Sequence, residues 1–284
     1  MHGGWVSVDA DRLEESEHIW KGSIFHGRLK DQFSTTALET PVLGEKLQGY
    51  FARYLVPRDA VIMDAGCGDG RITHLLLEAG MQRIVSTDLH KSSVDRLLAS
   101  LSADDRDLVL AIVDDFNRLP VADGRIDVLI AVALFGEMPD CHAALRSAIR
   151  MLRPGGLLIT SDALLDHALV YALVRNDIDE FLRIARTSTR ARMWDQKDQR
   201  YRVYTTDELE ARILEHPELR ILEMDGINML PSLVFGAVLQ DTNVDTEKKG
   251  ELRDLLLGLV NKGLRINRQA IYICRRMAQS KTLK

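Results

Sequence analysis

The sequence predicts an α/β fold, a mostly parallel sheet with helices on both faces. Three observations carry this. Short apolar runs alternate with helical stretches from residue 60 to 162. Three glycines, Gly66, Gly68 and Gly70, fall within "GCGDG" directly after the first run. The second run ends in an acid, Asp88, placed after the glycine loop as a ribose-binding acid would be. Parallel strands need a crossover between them, and a helix is the usual one, so alternation of this kind implies a parallel sheet.

The strands read as "AVIMD" (60–64), "RIVSTD" (83–88), "LVLAIVD" (108–114), "IDVLIAVA" (126–133) and "GGLLITSD" (155–162), with helices over 71–79, 91–101 and 141–152. Upstream, "TPVLGEKLQGYFARYL" (40–55) has a capping Thr40, Pro41 at a first helical position and apolar residues at helical spacing. "DADRLEESEHIW" (9–20) suits a short amphipathic helix, and Trp5, Trp20 and Phe25 are scattered around it. Downstream, residues 163–192 read as helical, "YTTDELEARILE" (204–215) as a capped helix, and 219–225 and 269–276 as strands.

Bulk properties narrow the function. The 284 residues suffice for one large domain, or a domain with an added cap. The formal charge of −5 does not suit wrapping nucleic acid by charge alone, and no nucleic-acid partner is expected. Cys67, Cys141 and Cys274 are odd in number and lack metal-ligand spacing, so no metal is expected and a reducing compartment is. No apolar run approaches the roughly 20 residues of a membrane span. The N-terminus lacks a basic start followed by an apolar core, so a cytoplasmic protein is the expectation.

Ligands of open parallel sheets bind beyond the carboxyl ends of the strands. Glycines there let a backbone turn sharply or let a ligand come close. An acid at the end of the next strand accepts hydrogen bonds from a ribose diol, so a nucleoside-bearing ligand follows from the spacing. A dinucleotide fits poorly, because that fingerprint is G-x-G-x-x-G and position 71 is Arg. Asp64 and Asp69 put carboxylates beside the loop, which would repel a pyrophosphate and suit an ammonium or sulfonium group.

"VIMDAGCGDGR", "VSTDL" (85–89), "VDDFNRLPVADGRIDVLIA" (113–131) and "MLRPGGLLI" (151–159) resemble, in order and spacing, the four motifs of class I S-adenosylmethionine-dependent methyltransferases of the small-molecule type. The resemblance covers about residues 55 to 162. It implies a Rossmann-like seven-stranded sheet, with 269–276 inserted antiparallel beside the fifth strand. It implies S-adenosyl-L-methionine as cofactor. Asp64, Gly66 and Gly68 would line the methionine moiety, Asp88 would hold the ribose and Leu89 would lie against the adenine. Asp115 would meet the adenine amino group, followed by the Phe116 amide and ring. Ala131 and Leu134 would face the transferred methyl.

Methyl transfer from a sulfonium is an in-line displacement, and alignment alone can contribute roughly 7–11 kcal/mol. A general base is useful but optional. Candidates are Glu137 in "ALFGEMPDCHAAL", His142 on the next helix and His167 further on, with Tyr171 behind them. The amino-methylating Asn/Asp-Pro-Pro-aromatic run and the paired acids of protein arginine methyltransferases are absent after the fourth strand. A small-molecule acceptor is the class left, with oxygen ahead of nitrogen or carbon as the methylated atom. Residues 1–45 are expected to form a helical cap on a methyltransferase domain over 46–284. Residues 163–204 are expected as a helical lid insertion, and 226–268 as a second insertion. Arg183, Arg186, Arg190, Arg192, Arg200 and Arg202 read as a solvated face with salt bridges to Asp195 and Asp198, or as a clamp for an anionic acceptor. An RNA or protein methyltransferase and a non-catalytic cofactor-binding partner subunit are the alternatives. A homodimer is left open.

Overall fold

The computed structural model describes residues 6–7, 35–136, 138–174, 177–187, 190–193, 196–228, 246–247 and 267–278. Its elements run β1 (Val6–Ser7), α1 (Thr35–Arg53), β2 (Val61–Ala65), α2 (Arg71–Glu78), β3 (Arg83–Asp88), α3 (Lys91–Ser100), α4 (Ala103–Arg106), β4 (Val109–Val113), β5 (Ile126–Val132), α5 (Cys141–Met151), β6 (Leu152–Ala163), α6 (Leu165–Val174), α7 (Ile178–Thr187), β7 (Arg190–Met193), β8 (Gln196–Arg202), α8 (Thr206–Leu214), β9 (Leu219–Asn228) and β10 (Asn267–Arg276).

The sheet order is β1-β4-β3-β2-β5-β6-β10-β9. All seven expected strands are present, and β10 runs antiparallel to both β6 and β9. The two-residue β1 adds an edge, with Val6 in register with Ile112. The chain builds outward from β2 through β3 to β4, then returns to start β5 on the other side of β2. That reversal places a crevice at the carboxyl ends of β2 and β5.

Strand alternation divides the core. Ile62, Ile84 and Ile130 face the helices α1, α2 and α3, where Leu47, Leu76 and Leu97 meet them. Met63, Ile112 and Leu129 face α5 and α8, against Ala144, Leu145 and Leu209. Both faces are thus covered, as parallel sheets require.

Several boundaries differ from expectation. α1 begins at Thr35 and runs through Pro41, so Thr40 and Pro41 do not start it. Proline removes one backbone donor, while burial of Leu43, Leu47, Tyr50 and Phe51 keeps the helix on the sheet. Residue 45 lies inside this helix. α1 is tied to β9: Lys46 Nζ and Tyr50 Oη reach Asp225 Oδ2 at 2.5 and 2.8 Å. Arg53 and Tyr54 bond Glu223. Residues 163–192 are not helical throughout. α6 and α7 are followed by a ribbon in which β7 pairs antiparallel with β8, because the period-2 alternation of "RARM" replaces helical spacing. β6 begins at Leu152, ahead of the expected 155, with a register shift against β5 after Ile126. A Cβ at Gly156 would lie 2.9 Å from Arg153 O and 3.0 Å from Asp127 O, so no side chain fits where these backbones cross. The expected helix 9–20, with Trp5, Trp20 and Phe25, and nearly all of 229–266 lie outside the described residues.

Candidate active site

The three glycines after β2 all hold positive φ, at 70° for Gly66, 53° for Gly68 and 92° for Gly70. Their surroundings separate their roles. A Cβ at Gly70 would sit 2.4 Å from Leu97 Cδ1, so this glycine lets α3 approach. One at Gly66 would meet Leu134 Cδ1 at 3.0 Å. At Gly68 nothing lies within 4 Å. Gly68 is where the loop leaves open space.

Asp88 closes β3 beside that space. Its Oδ2 accepts the Gly68 amide at 2.9 Å and its Oδ1 the His90 amide at 2.8 Å. Burial pushes its pKa up, against the lowering by the two amides. Each oxygen keeps a second lone pair for a hydroxyl donor. Leu89 is half-buried next to it.

Asp64 has a different post. It is 2% exposed, and its Oδ2 accepts the Thr73 amide at 3.0 Å and the Thr73 hydroxyl at 2.7 Å. Burial pushes its pKa up to about 6. Asp69, within the loop, forms an ion pair with Arg96 at 2.7 Å. Cys67 is buried within the loop, and burial pushes its thiol well above the usual range.

Past β4, Asp115 Oδ1 accepts the Asn117 amide at 2.9 Å and caps the turn Phe116–Arg118. Phe116 is buried, edge-on to Phe135 at 5.7 Å. Asp114 is the residue that sequence reasoning passed over. It is 6% exposed, Oδ1 takes the Asp115 amide, and Oδ2 is buried with no hydrogen-bond partner.

Past β5, Ala131 is wholly buried and Leu134 half-buried. Ala133 holds φ 55°, rare for a residue with a side chain. Glu137 lies outside the described residues. His142 Nδ1 lies 3.5 Å from both His216 Nε2 and Glu215 Oε2, at the end of α8. Burial, then His142, lowers the His216 pKa. His167 is buried in α6 and stacks on Tyr171 at 5.6 Å. The structure thus brings Gly68 and Asp88 together, and sets His142 and His167 among other partners. Beside the segment after β5, Phe135, Leu145, Leu209 and Tyr272 line a narrow cleft. Thr160, Asp162 and Arg212 are its polar walls, and Thr160 Oγ1 is buried without a partner.

An adenosine bearing a sulfonium side chain fits this donor set. Asp88 offers acceptors for a diol, Asp114 Oδ2 awaits a donor, and the space at Gly68 is open. Residues 63–160, which contain all of these, match the family described as "Methyltransferase domain". Over these residues the chain is similar to S-adenosylmethionine-dependent methyltransferases.

Relatives of the chain include a 27-O-demethylrifamycin SV methyltransferase of Amycolatopsis mediterranei, 30% identical over 55% of this chain and 56% of that protein. A malonyl-[acyl-carrier protein] O-methyltransferase of Hahella chejuensis is 30% identical over 51% of this chain and 52% of its own length. The chain therefore spans about half the length of the curated relatives it matches. Among solved structures, a SAM-dependent methyltransferase of Methanosarcina mazei has the same fold, with TM-score 0.56 and 15% identity over 81% of this chain and 98% of that one. Among the described residues, no helix is long and apolar enough to cross a membrane, and no group of three or more His, Cys, Asp or Glu could hold a metal.

Sequence reasoning also missed Asp162 and Tyr204, which hold Gly136, and Arg212, which lies over the Tyr204 ring. Asp162 Oδ1 accepts the Gly136 amide at 3.1 Å, and the Tyr204 hydroxyl donates to Gly136 O at 2.7 Å. The usable signals were the glycine in "LFGEMPD" and the tyrosine ahead of the capped helix.

Proposed function

We propose that this chain transfers a methyl group from S-adenosyl-L-methionine to an oxygen of a small, anionic acceptor. The observation that carries the reading is the open space at Gly68 beside Asp88, with the unpartnered Asp114 Oδ2 on the neighbouring strand end. Asp88 would hold the ribose hydroxyls, Gly66 and Gly68 the methionine side, and Leu89, Phe116 and Asp114 or Asp115 the adenine. Asp64 braces the loop from below through Thr73. When bound, the cofactor supplies an electrophilic methyl group on a sulfonium sulfur. Leu134 and the residues after it would align the acceptor, with Glu137, His142 and His167 as the candidates to take its proton.

Oxygen is favoured because both relatives named above carry O-methylation in their names. The anionic character rests on the arginine-rich stretch 183–202, which the sequence offers as a clamp for a carboxylate or phosphate. Within it Arg183 pairs with Glu180 at 2.7 Å inside α7, and Arg202 donates to Met138 O at 3.2 Å. In this reading residues 163–204 form the acceptor-side insertion on a domain over 46–284, with 1–45 as an N-terminal cap.

Incubating the purified protein with methyl-labelled cofactor and fractionated metabolites tests the reading. Label should pass to an anionic small molecule in a base-stable ether or base-labile ester. Label appearing only in RNA or protein would contradict it.

A further inference from the structure

Both backbone polar groups of Gly136 are engaged by buried side chains. Its amide donates to Asp162 Oδ1 at 3.1 Å and its carbonyl accepts the Tyr204 hydroxyl at 2.7 Å. A Cβ there would fall 2.5 Å from Asp162 Oδ1 and 2.7 Å from Tyr204 Cε2, so only glycine fits between the two. Tyr204 is also the neck of the insertion. Its amide donates to Ala163 O at 3.0 Å, its carbonyl accepts the Leu165 amide at 2.8 Å, and it bridges Leu164. Insertion and sheet are therefore joined at the residue whose hydroxyl reaches the segment after β5. The Arg212 guanidinium lies 4.1 Å from the centre of its ring and fixes the ring's plane.

The contacts continue toward the glycine loop. Leu134, two residues before Gly136, lies where a Cβ on Gly66 would be 3.0 Å from its Cδ1. Between β5 and Leu134, Ala133 holds its positive φ and donates its amide to Ser161 O at 2.7 Å. A strained residue persists only where its surroundings over-determine it. A continuous path thus runs from the insertion's neck through Tyr204, Gly136 and Leu134 to Gly66.

We propose that Tyr204 is a positioning residue of the methyl-transfer site. Its hydroxyl holds the segment after β5 against the glycine loop, so that the acceptor-side insertion and the cofactor pocket respond as one body. This rests on the cofactor reading above. It assigns Tyr204 no contact with substrate; the residue acts through Gly136 and Leu134.

Tyr204→Phe removes the hydroxyl and keeps the ring under Arg212. Two measurements decide. In the ligand-free protein, amide hydrogen exchange should rise together in peptides covering 133–138 and 163–165, with β2 and β3 unchanged. In calorimetric titration with S-adenosylhomocysteine, Tyr204→Phe should bind about fivefold more weakly than wild type, a shift that loss of one neutral hydrogen bond can produce. In a Leu134→Ala background the same change should have little further effect, because the path is already broken. A merely structural tyrosine would lower the melting temperature and leave that affinity alone. Unchanged affinity, or effects of the two substitutions that multiply independently, would overturn the proposal. So would exchange that rises at the neck alone. Should wild type fail to bind S-adenosylhomocysteine, the cofactor reading falls, and the exchange experiment still decides whether Tyr204 couples the two segments.

Discussion

The amide of Gly68 donates to Asp88 Oδ2 across 2.9 Å, so one carboxylate fixes the glycine loop to the end of the adjacent strand. The same residue takes the His90 amide, at the start of α3, on its other oxygen. Asp88→Ala removes the loop anchor and, in the proposed reading, the ribose acceptors together. S-adenosylhomocysteine should bind more weakly by about 2–3 kcal/mol, the worth of two charge-assisted hydrogen bonds. Asp88→Asn, which keeps one acceptor, should lose less. Equal affinities in calorimetry would place the ribose elsewhere.

The glycines should separate by readout. Gly70→Ala drives a methyl to within 2.4 Å of Leu97 Cδ1 at φ 92°. It should cost about 2 kcal/mol or more in urea unfolding. Gly68→Ala meets no protein atom within 4 Å. Its stability loss should stay near the ~1 kcal/mol of a left-handed alanine, while cofactor affinity falls at least tenfold. Gly66→Val strikes Leu134 as well as any ligand, which makes it the less discriminating variant. If Gly68→Ala bound the cofactor normally, the open space would not be the ligand's.

Asp64 gives a pH signature. Burial raises its pKa from 3.8 to about 6 in the folded protein. The folded state holds this proton more tightly than the unfolded one. The residue's contribution to stability is therefore fully present below about pH 4 and is lost as pH rises through about 6. About two pKa units correspond to about 3 kcal/mol. The difference in unfolding free energy between wild type and Asp64→Asn should fall by roughly that amount from pH 4 to pH 7. A pH-independent difference in urea titrations would show that Asp64 is ionised throughout.

Asp114 and Asp115 are the two candidates proposed for the adenine amino group. Asp115 Oδ1 already holds the Asn117 amide, whereas Asp114 Oδ2 is buried with no donor. Asp114→Asn should therefore weaken S-adenosylhomocysteine about tenfold, the order of one lost hydrogen bond to a charged group. It should weaken S-inosylhomocysteine, which presents a carbonyl at that position, far less. Asp115→Asn should leave this base preference in place. A preference that moved with Asp115 alone would return the role to the residue the motif spacing picks out.

The strands, the glycine loop and Asp88 were legible in the sequence because their signals are local. Apolar runs, turn glycines and a fixed spacing need no tertiary partner to be read. The partners were not legible. Asp69 meets Arg96 27 positions away, and Tyr204 meets Gly136 68 positions away. No periodicity encodes such contacts. Asp114 was overlooked because motif spacing selects Asp115, and only burial distinguishes two adjacent acids. The helical reading of 163–192 runs into β7 because that strand's period-2 stretch is four residues long and follows a strongly amphipathic helix.

Calorimetric titration of the full chain with S-adenosylhomocysteine and, separately, with NAD tests the central claim most directly. The account predicts saturable binding of one S-adenosylhomocysteine per chain, weakened by Asp88→Ala, and no heat from NAD. Tight NAD binding with no response to S-adenosylhomocysteine or S-adenosylmethionine would contradict it.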